Sequence, residues 1–405
     1  MFHYLEGGSD DEWTLLHNTA AFDALGFVPE VLRDVSRIDL GTSILGSRLS
    51  MPLMLSPTGM SRLFHHGKEF AAARAAARAG TMYSLSTMAT SGLEEIAAAA
   101  AGPKMFQIYI FKDRGLTREL VQRCKAANYQ ALCLTVDTPV AGNRERDRVS
   151  GMTLPPRLSM KSLLSFGASP SWVFNFLRDS DFRLANVMHR VDALAGGAMG
   201  VIEYVNSQFD RSVTWEDAAW LAAEWNGPFV IKGISSVGDA RRAVSIGASA
   251  LMISNHGGRQ LDGCIPAIEC LPPIRDALGS TPELILDGGV RRGTHVLKAL
   301  ALGANACSIG RPYLYGLAAG GEAGVSRALE LLRNELELSM ALLGCTRLSD
   351  IRPDHLRPVG ALPAVHGRDR AVDADGLADK SYFSAVQTPA LPVERFGDSS
   401  HRRQS

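Results

Sequence analysis

The chain has 405 residues, 46% of them hydrophobic, enough for one large domain or two ordinary ones with a sizeable core. Forty-two basic residues balance 42 acidic ones, which removes any bulk electrostatic case for a nucleic-acid partner. Six scattered cysteines without a CxxC pair suit reduced thiols in a cytosolic protein better than a disulfide framework or a zinc site. The first residues, MFHYLEGGSDDEW, lack the basic and apolar regions of a signal peptide, and no apolar run is long enough to span a bilayer.

In chain order, residues 1–50 predict a helical lid or barrel plug ahead of the first strand. Eight strands follow: PLMLS (52–56), TMYSLST (81–87), KMFQIYI (104–110), ALCLTVD (131–137), FVIKGI (229–234), ALMISNH (250–256), ELILDGG (283–289) and ACSIGRP (306–312). Most are near-continuous apolar runs, the mark of parallel strands covered on both faces. Between them lie helical stretches such as EFAAARAAARAG, LTRELVQRCKAANY and VGDARRAVSIGA, several ending at Gly or Asn. A long helix, GEAGVSRALELLRNELELSMALLG, comes after the eighth strand.

Eight βα units in series predict a (β/α)8 TIM barrel spanning residues 1–360, with an N-terminal helical segment and a long insert (about 145–212) after strand 4. A doubly wound open sheet is the rival, and it would need a topological switch point. Polar residues and glycines gather at the strand C-termini along the whole chain, and in a barrel those ends share one mouth. The tail, residues 361–405, is rich in Pro, Asp, Ser and Arg and reads as flexible.

The mouth residues suggest chemistry. DGGVRRG and SIGRPYLYG follow strands 7 and 8, where barrels often bind phosphate through backbone N–H groups. Gly288, Gly289 and Gly310 allow close approach, and Arg291 and Arg311 supply charge. Lys232, inside an apolar run, is either a Schiff-base lysine or a fixed cation beside a cofactor. Asp137 and His256 end two strands and form a candidate general-base pair. Arg259 with Arg144 could clamp a carboxylate, and Arg146 competes for the second place. No metal-ligand cluster is present in the sequence. The set fits a phosphate-anchored cofactor acting on a small anionic substrate.

Segments from YLEGGSDDEWTLLHN through LSPTGM, FQIY, LTVDTPVAGNRERD, VIKGI, SNHGGRQLD and DGGVRRG to IGRPYLYG resemble the FMN-dependent α-hydroxy acid dehydrogenase/oxidase family, which includes glycolate oxidase, L-lactate dehydrogenase and mandelate dehydrogenase. The resemblance runs over roughly residues 2–350 and is carried most specifically by SNHGGRQLD with DGGVRRG. It implies FMN, with His256 taking the substrate's proton, Asp137 as its partner, Arg259, Arg144 and Tyr4 on the carboxylate, and Tyr109 on the hydroxyl oxygen. It implies Lys232 at the N1–C2=O edge of the flavin, Ser86, Gln107 and Thr135 bonded to the ring, and the backbone of Pro57, Thr58 and Gly59 near N5. Ser254 would lie against the cofactor, Asp287 would take ribityl hydroxyls, and Gly288, Gly289, Arg291, Gly310 and Arg311 would bind phosphate.

By the same resemblance the activity is oxidation of an L-2-hydroxy acid, lactate- or mandelate-like, with electrons passing to quinone or another carrier. The alternatives are an oxidase that makes hydrogen peroxide from oxygen, an FMN-dependent isomerase and a non-catalytic flavin-binding protein. Gly59, where oxidases often have Ala, leans toward a dehydrogenase. Met88, where glycolate oxidase has a bulky aromatic, leans toward a substrate larger than glycolate. Tyr4 lies nearly at the terminus, and its position is expected to be loose. A homotetramer is implied. Residues 156–190 carry five Arg/Lys against two Asp, with apolar bulk from Leu163, Phe166, Trp172, Phe174 and Phe176. The segment reads as a peripheral contact with the inner face of the cell membrane, or as an active-site lid.

Overall fold

The computed structural model describes residues 2–150, 178, 183–188 and 207–359. Most of the insert segment 156–190 and the tail 361–405 therefore lie outside the described residues. Eight parallel strands close into a barrel: β1 (Leu53–Thr58), β2 (Tyr83–Ser86), β3 (Lys104–Ile108), β4 (Ala131–Thr135), β5 (Phe229–Ile234), β6 (Ala250–Ile253), β7 (Glu283–Asp287) and β8 (Ala306–Ile309). They pair in sequence order, and closure comes from β8 on β1, in the register Cys307 to Leu53, Ser308 to Met54 and Ile309 to Leu55. The open-sheet alternative is excluded by this closure.

The apolar runs divide by the two-residue period of a strand. Leu53, Leu55, Phe106, Ile108, Leu132, Leu134, Ile231, Leu251 and Ile253 join the outer core under the helices. Their neighbours Met54, Met82, Met105, Cys133, Val230, Met252, Ile285 and Ala306 form a separate cluster inside the barrel. Two residues further along each strand, the same inward positions become Ser56, Ser84, Gln107, Thr135, Lys232, Ser254, Asp287 and Ser308. All of these are buried. The interior thus changes from apolar to polar along the barrel axis, and the polar end is the C-terminal mouth.

The N-terminal segment serves as both plug and cover. The hairpin Thr42–Ile44 with Ser47–Leu49 sends Ile44, Leu45 and Leu49 into the inner apolar cluster. Glu283, at the start of β7, accepts a hydrogen bond from the Leu45 amide at 2.8 Å, so the hairpin closes the floor. The helices Phe2–Glu6 and Trp13–Ala20 belong to the opposite end. Ser9 N donates to Gly258 O and Asp10 N to Asn143 O, each at 2.9 Å. Asn18 and Asn255 exchange two side-chain hydrogen bonds of 2.8 Å.

Gly289 shows how tightly the second helix sits. Its φ is +76°, and a Cβ there would lie 1.9 Å from Asn18 O. The long helix begins earlier than its sequence suggests, running Arg311–Leu343 with non-helical backbone at Gly320 and Gly321. Its first turn therefore starts directly from β8 at the mouth. All six cysteines are unpaired. No helix among the described residues is long and apolar enough to cross a membrane.

Candidate active site

A cavity of about 630 Å³ opens at the C-terminal ends of the strands. Its wall includes Tyr4, Pro57, Thr58, Gly59, Ser86, Tyr109, Arg144, Lys232, His256, Arg259, Asp287, Gly288, Gly289, Arg291, Gly310 and Arg311. Most of the residues singled out from sequence therefore meet in one place. Gln107, Thr135, Asp137 and Ser254 lie on the same strands or just beyond them.

His256 follows β6 in a left-handed conformation, with φ 57°. This conformation is costly for a residue with a Cβ and is held by neighbouring bonds. Its backbone N–H donates to Ser254 Oγ at 3.1 Å, and Nδ1 lies 2.8 Å from Asp137 Oδ1. Burial alone would raise the Asp137 carboxyl, but His256 and Lys232 outweigh it and hold it below its ordinary range. An ionised Asp137 accepts a hydrogen bond from the Nδ1–H of the imidazole, which leaves the Nε2 lone pair as the basic group.

Three side chains, Arg259, Arg144 and Tyr4, cluster in one part of the cavity. Arg259 donates from Nη1 to Tyr4 O at 2.8 Å and to Gly7 O at 2.9 Å. The Tyr4 ring has both cations over it, Arg259 at 5.0 Å and Arg144 at 5.3 Å. Tyr4 is only 9% exposed, so the looseness expected from its place near the terminus is not what the fold shows. The two cation–π contacts and the Arg259 bond to its carbonyl hold it. The choice between Arg144 and Arg146 is also decided by position. Arg144 lines the cavity and pairs with Asp147 at 3.1 Å, whereas Arg146 pairs with Glu12. Burial lowers the Arg259 guanidinium and nearby Arg144 adds to the effect, as expected where two cations await an anion. The Tyr109 phenol is pushed up by burial and by Asp137, so it remains a hydroxyl donor. Phe209 packs edge-on against its ring at 4.9 Å.

Lys232 is the cation inside the barrel. Nζ lies 2.9 Å from Asp287 Oδ2 and donates to Ser254 Oγ at 2.9 Å. Ser254 Oγ in turn donates to Asp287 Oδ2 at 2.7 Å, and Ser56 Oγ donates to Asp287 Oδ1 at 2.6 Å. Burial pushes the lysine down, but Asp287 and Asp137 more than offset it and leave the ammonium above its ordinary value. A Schiff-base lysine must be neutral to attack, and the ion pair with Asp287 favours the charged form, which suits a fixed cation. The Ser254 hydroxyl accepts from Lys232 and His256 N and donates to Asp287, which uses its whole hydrogen-bonding capacity.

Beside this network, Gln107 Nε2 and Thr135 Oγ1 are buried with no hydrogen-bond partner among the described residues. Ser86 Oγ donates to Gln107 Oε1 at 3.0 Å, which fixes the amide with its NH2 unspent. Buried polar groups are nearly always bonded, so adjacent orphans on β3 and β4 mark the place of a polar ligand edge. The heteroatoms of a flavin ring fit such a row.

Another part of the wall is built from the loops after β7 and β8. Gly288 and Gly289 have φ of +125° and +76°, and Gly310 is the N-cap of the long helix. Arg311 donates to Leu5 O at 2.9 Å and to Gly257 O and Gly7 O at 3.1 Å. Burial, then Arg259 and Arg291, pushes its guanidinium down to about 9. Arg291 is lowered by burial and donates to Val290 O at 2.9 Å. Among the described residues neither Arg291 nor Arg311 is in a salt bridge, which suits a site for a doubly charged anion.

Sequence reasoning passed over several cavity residues. Ser308 occupies the same inward position on its strand as Lys232 and Asp287 do on theirs, and strict period-two counting would have found it. Phe209 and Arg211 lie at the end of the insert, and nothing local announces that they return to the mouth. The bridge between Phe111 and Phe209, with Lys112 N donating to Gln208 O at 2.9 Å, brings them there. Gln260, within SNHGGRQLDG itself, also lines the cavity.

Comparison with known proteins agrees with this geometry. Residues 1–358 match the family described as FMN-dependent dehydrogenase. The chain is 46% identical over 354 residues to L-lactate oxidase of Nostoc sp., covering 86% of this chain and 91% of that protein. It is 44% identical over 357 residues to glycolate oxidase 3 of Oryza sativa subsp. indica, covering 88% and 91%. Among solved structures, the monotopic membrane protein (S)-mandelate dehydrogenase superposes with a TM-score of 0.85 at 37% identity, covering 88% of this chain and 94% of that one. A mandelate oxidase with (S)-4-hydroxymandelic acid gives 0.75 at 37% identity, covering 88% and 93%. The chain belongs to the FMN-dependent dehydrogenase family: FMN is its cofactor, and oxidation of 2-hydroxy acids is its chemistry.

Proposed function

We propose that this protein oxidises an L-2-hydroxy acid of lactate or mandelate type to the 2-oxo acid and passes the electrons to a quinone or another carrier. The observation that carries the reading is the His256–Asp137 pair beside two guanidinium groups, Arg259 and Arg144, in one cavity, the first of them in no salt bridge among the described residues. FMN, when bound, supplies a two-electron acceptor. Arg259, Arg144 and Tyr4 hold the substrate carboxylate, and the Tyr109 hydroxyl bonds the substrate oxygen. His256 Nε2 takes the proton, and Asp137 stabilises the imidazolium that results. Ser86, Gln107 and Thr135 face the ring, with Pro57, Thr58, Gly59 and Ser254 against it and Lys232 as a fixed positive charge beside it. Asp287 offers its remaining lone pair to the ribityl chain. Gly288, Gly289, Arg291, Gly310 and Arg311 take the phosphate.

Phe64, Met88 and Phe209 line the cavity together with Tyr4, which supports a side chain larger than hydrogen. Gly59 supports the dehydrogenase reading less strongly than its identity suggests. A Cβ there would lie 2.8 Å from Met88 Cβ and 3.2 Å from Met88 O, so glycine also answers to packing. The oxidase reading draws on the similarity to L-lactate oxidase and glycolate oxidase. Peripheral contact of 156–190 with the inner face of the membrane draws on that segment's charge and aromatics and on the similarity to a monotopic (S)-mandelate dehydrogenase. Deleting 160–190 tests it: a variant that still sediments with anionic vesicles removes the segment as anchor.

The test of activity is anaerobic. L-lactate and L-mandelate, each against its enantiomer, are mixed with the FMN-loaded protein and the flavin band is followed. Bleaching by one L acid, abolished in His256→Gln with FMN retained, is the expected result. Admitting air then separates oxidase from dehydrogenase by the rate of reoxidation. Normal reduction in His256→Gln would refute the assigned base.

A further inference from the structure

We propose that Gln260 is a positioning residue for the oxidation, keeping the loop that carries Asp137 and Arg144 in register with the loop that carries His256 and Arg259. The inference rests on the roles proposed for those four residues. Gln260 Nε2 donates to Asp137 O at 3.0 Å and to Val140 O at 2.9 Å, and Oε1 accepts from Gly142 N at 2.9 Å. Both N–H groups are spent on carbonyls, so the amide has one orientation; flipped, its oxygen would face two carbonyl oxygens.

The two loops also meet backbone to backbone. A Cβ at Gly142 would lie 2.2 Å from Arg259 O and 2.8 Å from Gln260 Cα. One side chain therefore ties three points of the segment between β4 and Arg144 to the residue next to Arg259. The first tied point is the carbonyl of Asp137, whose carboxylate meets His256 Nδ1 at 2.8 Å. The last is two residues before Arg144. Gln260 sets where the base meets its partner and how far apart the two carboxylate-binding arginines stand, without donating a group to the chemistry.

Gln260→Met keeps the volume and removes all three bonds; Gln260→Glu keeps the shape and removes both donors. Three quantities are measured on the FMN-loaded protein: the anaerobic rate of flavin reduction at saturating hydroxy acid, the dissociation constant of oxalate read from the flavin spectrum, and the thermal midpoint. Misplacing reacting groups by about 1 Å costs on the order of 100-fold, so reduction should slow by about 10- to 100-fold in both variants. Oxalate binding should weaken with it, while the thermal midpoint stays near that of the parent. On an Asp137→Asn background, the two losses should be less than additive, because part of the Gln260→Met effect runs through Asp137. Reduction and oxalate binding at parental values in Gln260→Met would overturn the proposal, as would a full additive loss in the double variant. If no hydroxy acid reduces the parent flavin, the underlying reading fails instead, and unchanged oxalate binding in Gln260→Met would then reject the positioning role independently.

Discussion

Replacing Lys232 with Met tests the electrostatic logic of the barrel interior directly. At 2.9 Å from Asp287 Oδ2 the ammonium contributes about 6 kcal/mol of gross attraction at an effective dielectric of about 20. Desolvation of both ions offsets much of that, since the side chains are 5% and 10% exposed. Removing only the cation leaves Asp287 buried with its serine partners and no counter-charge, and such one-sided deletions cost about 3–5 kcal/mol. Urea unfolding of the apoprotein, followed by far-UV circular dichroism at pH 7, should show a loss of that size.

The double variant Lys232→Met/Asp287→Leu should lose less than the sum of the single replacements, because no orphan charge remains. The pH dependence has a definite sign. Without Lys232 the Asp287 carboxyl in the folded state rises above its unfolded value. The folded state then binds more protons than the unfolded state between the two, and stability falls as pH rises through that window. The deficit of Lys232→Met should therefore be smaller at pH 5 than at pH 7. A single variant within about 1 kcal/mol of the parent at pH 7, with no narrowing at pH 5, would refute the assignment of Lys232 and Asp287 as mutually dependent charges.

Three other outcomes follow from the same structure. His295, stacked on Phe22 at 4.3 Å, is pushed down to about 4 chiefly by burial, so it is neutral in the folded protein. Its unfolded form takes a proton near pH 6.5, and about 3 kcal/mol of stability should be lost as pH falls from there to about 4; His295→Gln should flatten that part of the urea-midpoint profile. Arg311→Met should weaken FMN binding to the apoprotein by about 10-fold or more, the loss of a charge-assisted phosphate contact, as read by flavin fluorescence quenching; an unchanged affinity would remove it as a phosphate ligand. Gly289→Ala should destabilise the apoprotein by several kcal/mol and loosen the helix Trp13–Ala20, because its Cβ would meet Asn18 O at 1.9 Å; hydrogen exchange across residues 13–20 measures it.

Local pattern and long-range arrangement contributed differently to these conclusions. All eight barrel strands were legible, because a strand buried on both faces must be apolar along its length whatever its neighbours. His256, Arg259, Arg291 and Arg311 stood out because glycines beside them mark backbone that approaches something closely. The Lys232–Asp287 bond was not legible, since it joins different strands across the interior. Arg144 and Arg146 stand two residues apart at the start of a short helix, and only the tertiary structure shows that the first lines the cavity and the second pairs with Glu12. Tyr4 read as loose because terminal residues usually are, and two guanidinium groups from distant loops make it an exception.

From the sequence alone came the chain's repeated βα unit, its apolar strand faces and the residue types capable of base, cation and anion-binding chemistry. These depend on periodicity and on the covalent character of each side chain, both of which are local. The tertiary structure decided that one N-terminal segment serves both floor and mouth, that Lys232 pairs with Asp287, and that Gln260 bonds the segment after β4 at three points. Those facts depend on which groups a closed barrel brings within hydrogen-bonding distance, and a closed barrel places residues from every strand around one axis regardless of their separation along the chain.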